Sequence, residues 1–267
     1  MPTDAQVQAT LTHLQNSKKR IEVDGTRYYL VEGDLLLDEG ELFLYALEQA
    51  TLEEARQEGI HVERQPLVGI VDDEERIIRW ERGLDLTYTV RRETFPSAAM
   101  YEIVVDAMLI ATADWEDTCA VTFRHLVEAD NGAAVDPPPL FEVMHFDTRG
   151  EIVASAFFPS HPQERRRVLI DPSFFEPDLG FSREGVLRHE LGHVLGFRHE
   201  HIRSMAPALC PDETLGNTID LTDYDPQSVM HYFCGGVGSP ELLITEVDRQ
   251  GARQVYGPPE HLIRYVR

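Results

Sequence analysis

Long hydrophobic runs are missing from this sequence. No stretch approaches the roughly 18 consecutive apolar residues of a membrane span, and the longest, such as Leu42 to Leu47 and Met108 to Ala111, have the length of core-helix segments. This argues against membrane insertion. Cysteine is scarce as well: Cys119, Cys210 and Cys234 are too few for a disulfide scaffold and leave the redox compartment open. Positive charge is also short, with 24 basic residues against 47 acidic ones and a formal net charge of −23. Such acidity repels phosphate backbones and anionic lipid, so nucleic-acid and membrane-surface binding are disfavoured. The imbalance is concentrated between Glu32 and Arg76, where 14 acidic residues face 3 basic ones, a net of −11. A solvated acidic face that aids solubility is its simplest use; steering of cationic peptides is a second. The stretch MPTDAQVQATLTHLQNSKKR lacks the apolar block of a secretory signal.

What is present is ordinary globular composition: 267 residues, 42% apolar and 27% charged, enough for one or two domains with a buried core. Helical spacing of Leu42, Tyr45, Leu52 and Ala55 predicts a helix over Glu41 to Glu58, closed by Gly59. The acidic run Asp72 to Glu75 reads as an exposed connection. Beyond it, Leu84 to Val90 alternates with period two and predicts a half-buried strand. Ser97 to Trp115 carries the apolar stripe of a helix packed on a sheet. Short strands are expected at Ala120 to Leu126, Leu140 to Phe146, Glu151 to Phe157 and Arg167 to Ile170, then a helix over Gly185 to Leu195 and loop from His199 to Gly236. The pattern gives an α+β domain over 77–267, preceded by an acidic N-terminal segment, 1–76.

The chemistry lies in His189-Glu190-Leu191-Gly192-His193-Val194-Leu195-Gly196-Phe197-Arg198-His199-Glu200. Residues four apart share a helix face, so His189 and His193 can present both imidazoles to one ion. Gly196 can leave the helix with positive φ, and that turn can swing His199 back as a third ligand. Three His with a fourth position left for water is the pattern of catalytic rather than structural zinc. One Zn2+ is therefore expected, polarising a water whose proton Glu190 takes as general base.

The extended motif resembles that of the metzincin zinc peptidases, and Ser228-Val229-Met230-His231-Tyr232 supplies their methionine-bearing turn in astacin-like form. Phe197 and Glu200 are also astacin-like. The resemblance implies a zincin fold: a twisted mixed sheet with two long helices above a loop-rich lower half. It implies an endopeptidase acting on peptide or protein substrates. Met230 would floor the three imidazoles, and Tyr232 would stabilise the tetrahedral oxyanion. The run Gly150 to Pro159 looks more like the matrixins, whose second, structural zinc uses a His where this chain has Ser155, a poor zinc ligand. A bridge between Cys210 and Cys234 would staple the lower loops of the cleft and leave Cys119 over; free thiols are the alternative in a reducing compartment. Glu32-Gly33-Asp34-Leu35 is similar to the astacin prosegment motif, whose aspartate displaces the zinc-bound water. This makes residues 1–76 a candidate propeptide and Asp34 a candidate latency switch. The alternative for that stretch is a strand-to-turn Gly-Asp followed by Leu35 to Leu37 packing on the Glu41 helix. Ala154 to Phe158 is a candidate edge strand for pairing with extended substrate, or else an interior strand.

Two other functions use the same residues: a zinc amidase acting on a non-peptide amide, and a non-hydrolytic metal-binding protein. Glu190 argues against the second, because a structural site needs no base.

Overall fold

In a computed structural model, the described residues are 2–23, 25–57, 67–70, 76–202, 218–231, 236–259 and 261. Tyr232, Cys210, Cys234 and the run Asp72 to Glu75 lie outside them. β5 (Asp85–Val90) is an interior strand of a five-stranded sheet, and Leu86 to Val90 are buried on both faces rather than on the one that their alternation predicts. Its neighbours are β6 (Thr122–His125) on one side and β7 (Phe141–His145) on the other, both parallel to it. β9 (Arg167–Ile170) extends the sheet in parallel, and β8 (Ala154–Ser155) closes it as an antiparallel edge in the order β6-β5-β7-β9-β8. This is the expected α+β architecture with a mixed sheet.

The edge strand is much shorter than the Glu151 to Phe157 the sequence suggests. Asp171 accounts for this: its carboxylate accepts hydrogen bonds from Thr148 N, Thr148 Oγ1 and Gly150 N, at 2.7, 2.6 and 3.4 Å. The chain is thereby curled into a turn, with Arg149 and Gly150 both at positive φ, just before the strand. Only Leu169 and Ile170 remain as ladder partners.

The long helices are α3 (Ala98–Glu116), capped by Ser97, and α4 (Arg183–Val194), capped by Ser182. They pack on one another through Trp115, whose indole is fully buried, donates to Arg188 O at 2.9 Å and stacks on Phe197. At the far end of α4, Trp80 Nε1 donates to Val194 O and Tyr256 Oη to Leu195 O, both at 2.7 Å. Two aromatic side chains thus satisfy carbonyls that the last turn leaves open. The stretch expected to be loop from His199 onward contains one strand, β10 (Thr218–Leu221), which pairs with β4 (Leu67–Ile70). Thr218 to Leu221 does alternate, but four residues are too few for the period to stand out. The last helix is α5 (Glu246–Tyr256).

Before this domain the chain forms α1 (Asp4–Ser17), an antiparallel sheet of β1 (Lys19–Val23), β2 (Thr26–Val31) and β3 (Leu35–Leu37), and α2 (Glu39–Gln57). Only α2 and the packing of Leu35 to Leu37 were legible beforehand. The missed signal for α1 is its capping box, in which Thr3 and Gln6 satisfy each other's backbone amides. One small core joins Leu14, Val31, Leu35, Leu42 and Tyr45, with Phe158 packed against it. A second joins Ile21, Tyr28 and Leu36 to Ile152 and Leu169. Leu36 N also donates to Ser155 Oγ at 3.4 Å, so the N-terminal unit lies along the edge at β8. Among the described residues no helix is long and apolar enough to cross a membrane.

Gly192 lets α4 approach the methionine turn: a Cβ there would lie 2.2 Å from Met230 Sδ and 3.4 Å from the Trp115 ring. Gly192→Ala is expected to destabilise the protein by about 1–3 kcal/mol, the usual result of overpacking; an unchanged melting temperature would contradict this packing. Cys119 is buried and free, and burial pushes its thiol pKa up to about 12. It should resist alkylation in the native protein at pH 8 and react after denaturation, as followed by peptide mass mapping.

Candidate metal centre

α4 carries His189 and His193 on one face, both buried, and ends one residue later at Val194. Gly196 follows at φ +92, with Gly196 N donating to His193 O and Phe197 N to Gly192 O, both at 2.9 Å. That left-handed turn costs glycine little, and it brings His199 back to the other two rings. His199 Nε2 lies 3.2 Å from His189 Nε2 and 3.1 Å from His193 Nε2.

The outer nitrogens of two rings are committed. His189 Nδ1 donates to Val229 O at 2.7 Å and His193 Nδ1 to Phe197 O at 2.8 Å. A carbonyl only accepts, so each ring carries its proton on Nδ1 and turns an Nε2 lone pair inward. Asp34 completes the group: its Oδ2 lies 3.2, 3.6 and 3.1 Å from Nε2 of His189, His193 and His199. Four donors within 4.8 Å of one another, all buried, are a set able to hold a metal ion. Zinc bonds of about 2.0–2.1 Å in a tetrahedron place ligand atoms about 3.3 Å apart, and the observed separations of 3.1–3.6 Å match that edge. The residues fit zinc.

Electrostatics point the same way. Burial raises the Asp34 carboxyl, but the charge of His199 and hydrogen bonds from all three imidazoles outweigh it and hold Asp34 well below the ordinary carboxylate range. Burial lowers His193 to about 4, which keeps it neutral as a ligand must be. Glu190 stands beside the cluster with burial, and then the Asp34 charge, pushing its carboxyl well above the ordinary value. Its Oε2 has no hydrogen-bond partner among the described residues. A cavity of about 280 Å³ adjoins, lined by Asp34, His189 and Glu190 at its polar end and by Ile152, Ala154, Phe181, Val186 and Leu242 elsewhere.

Met230 is fully buried next to α4, under Gly192. Its turn is held by a residue that sequence reasoning missed. Asp248 in the first turn of α5 accepts from Ser228 Oγ at 2.6 Å and from Val229 N at 2.9 Å, while Met230 N donates to Ser228 Oγ at 3.0 Å. Asp248 therefore fixes Val229, whose carbonyl fixes His189. The signal was there in the Thr245-x-x-Asp248 capping box. Two further missed residues are Glu32 and Arg198, a buried ion pair next to the cluster. Ser155 is buried at the edge strand, where its Oγ accepts from Leu36 N, and the group of potential metal ligands found among the described residues includes no residue of the Gly150 to Pro159 run.

No curated protein sequence matches the chain. Among solved structures, myroilysin superposes with a TM-score of 0.48 at 17% identity, over 71% of this chain and 98% of that one. High choriolytic enzyme 1, a hatching enzyme zinc-protease from the medaka fish Oryzias latipes, gives 0.43 at 16% identity, over 68% and 95%. The matrixin family model matches residues 79–231, more than half of the sequence and including all three histidines. By that match the chain belongs to the matrixins, a family of zinc metallopeptidases.

Proposed function

We propose that this protein is a zinc-dependent endopeptidase held latent by its own N-terminal segment, residues 1–76. The observation that carries the reading is the convergence of three imidazole nitrogens and one N-terminal carboxylate at tetrahedral spacing, beside an unpartnered Glu190. His189, His193 and His199 are the ligands of one catalytic ion. Zinc held there supplies Lewis acidity toward a water and toward the scissile carbonyl.

The chain's own residues do the rest. Glu190, buried beside the imidazoles with Oε2 free of a hydrogen-bond partner among the described residues, is the group proposed to accept a proton from water and return it to the leaving amine. Tyr232 is the proposed oxyanion donor, by resemblance to the astacin turn. The mostly apolar cavity next to Glu190 is sized for an apolar side chain adjoining the scissile bond. β8 is the sheet edge along which an extended peptide would pair once the N-terminal unit has moved.

Latency follows from where Asp34 sits. Its Oδ2 occupies the position in the histidine cluster that water needs, and its depressed pKa keeps it charged there. The test is cleavage of a denatured protein by the zinc-loaded full chain. Asp34→Ala combined with Glu32→Gln, which removes both carboxylates that the N-terminal segment places in the cleft, should raise cleavage by roughly tenfold or more. Adding Glu190→Ala should then remove roughly 10²–10⁴ of that rate, the usual worth of a general base. Cleavage that survives Glu190→Ala would sink the assignment of the base. Glu32→Gln/Asp34→Ala chains that bind zinc and cleave nothing would overturn the peptidase reading.

A further inference from the structure

Glu32 and Asp34 belong to one hairpin tip. β2 and β3 pair as far as Val31 with Leu35, which leaves Glu32-Gly33-Asp34 as a three-residue loop. Gly33 takes φ +83, and Glu32 takes φ +50, a left-handed conformation unusual for a residue with a side chain. This turn sends the two carboxylates to two different receptors. Asp34 enters the histidine cluster. Glu32 meets Arg198, the residue just before His199: Arg198 Nε donates to Glu32 Oε2 at 3.2 Å, and Arg198 Nη2 pairs with Oε1. Tyr45 Oη, from α2, donates to the same Oε1 at 3.0 Å.

Both side chains of the ion pair are almost completely buried, at 2% and 1% exposure. Two charges taken out of water are tolerated only when matched in geometry and further hydrogen-bonded, and removing one strands the other. None of these contacts uses an imidazole or a metal ion. We propose that Glu32 and Arg198 form a second, metal-independent lock on the hairpin tip, so that the N-terminal segment stays in the cleft whether or not the centre holds an ion. This rests on the latency reading for its biological meaning, with Arg198 a positioning residue that keeps Asp34 in register. It assigns the cleft a two-point receptor for carboxylates spaced i and i+2 on a hairpin.

The experiment is amide hydrogen exchange of the full chain, with zinc and after chelation, read over residues 26–37. Amides of α3 serve as the control for folding. Wild type and Asp34→Ala should protect the tip in both states. Glu32→Gln should exchange at least roughly tenfold faster over 26–37 after chelation, with α3 unchanged. Arg198→Lys, which keeps the charge but loses the fork, should fall between wild type and Glu32→Gln. Opening of the wild-type tip on chelation would overturn the proposal, since the metal alone would then be the lock. So would wild-type protection in the chelated Glu32→Gln chain, or in Arg198→Lys should Glu32→Gln disturb α3. Failure of Glu32→Gln/Asp34→Ala to raise cleavage is a separate result, which removes latency and leaves the exchange measurement standing.

Discussion

Three imidazole nitrogens are aimed at one buried point, and two of them are shown by their carbonyl partners to bring lone pairs rather than protons. Without a cation this arrangement is repulsive, so the surrounding structure has to impose it. Gly196 turns the chain, Phe197 O and Val229 O set two ring orientations, and Trp115 and Tyr256 bind carbonyls of α4. Asp248 stands behind Val229. Burial raises its carboxyl while bonds from Ser228, Thr245 and Val229 lower it, with a net rise that marks how little water reaches the base of the methionine turn. Such outer partners typically govern metal affinity by 10–100-fold in other proteins.

The motif region was legible because its chemistry demands fixed spacing. His189 and His193 have to share a helix face, and a third ligand six residues on has to be preceded by a residue able to turn. α3 and β5 were legible for a different reason: α3 buries one stripe, and Leu84 to Val90 alternates apolar with polar residues although the fold buries both of its faces, and the structure shifts the ends of both elements by only one residue or so. Elements fixed by polar side chains from elsewhere were not legible. The shortening of β8 depends on Asp171, which is some sixteen residues later in sequence, and local propensity around Ile152 contains no trace of it. Asp130 is similar: it accepts from Thr89, Val90, Tyr101 and His125, and tethers the end of β5 to α3 and β6. Nothing about an Asp before an Asn-Gly turn announces that role.

The N-terminal unit was hardest to read, because part of its apolar surface faces another part of the chain and its own core is small. Ile21, Tyr28 and Leu36 are buried only together with Ile152 and Leu169. Phe158, which meets the His193 ring edge-on, is likewise packed against Leu14 and Tyr45. A segment stabilised across such an interface need not show the strong stripe of an independent helix or sheet.

For the Glu32 to Leu37 stretch, the sequence offers two readings as alternatives: a Gly-Asp turn leading into an apolar strand on the α2 helix, and a carboxylate delivered to the histidines. Physically they are compatible, and the structure combines them. Leu35 and Leu37 are buried against Leu42 and Tyr45, which makes the strand that follows the turn a rigid support. A hairpin loop on such a support projects its side chains with little freedom to lose, so a carboxylate at its tip is preorganised for the cluster. The packing of three leucines is thus the reason an otherwise short and acidic loop can hold two charged side chains at fixed points inside a closed cleft.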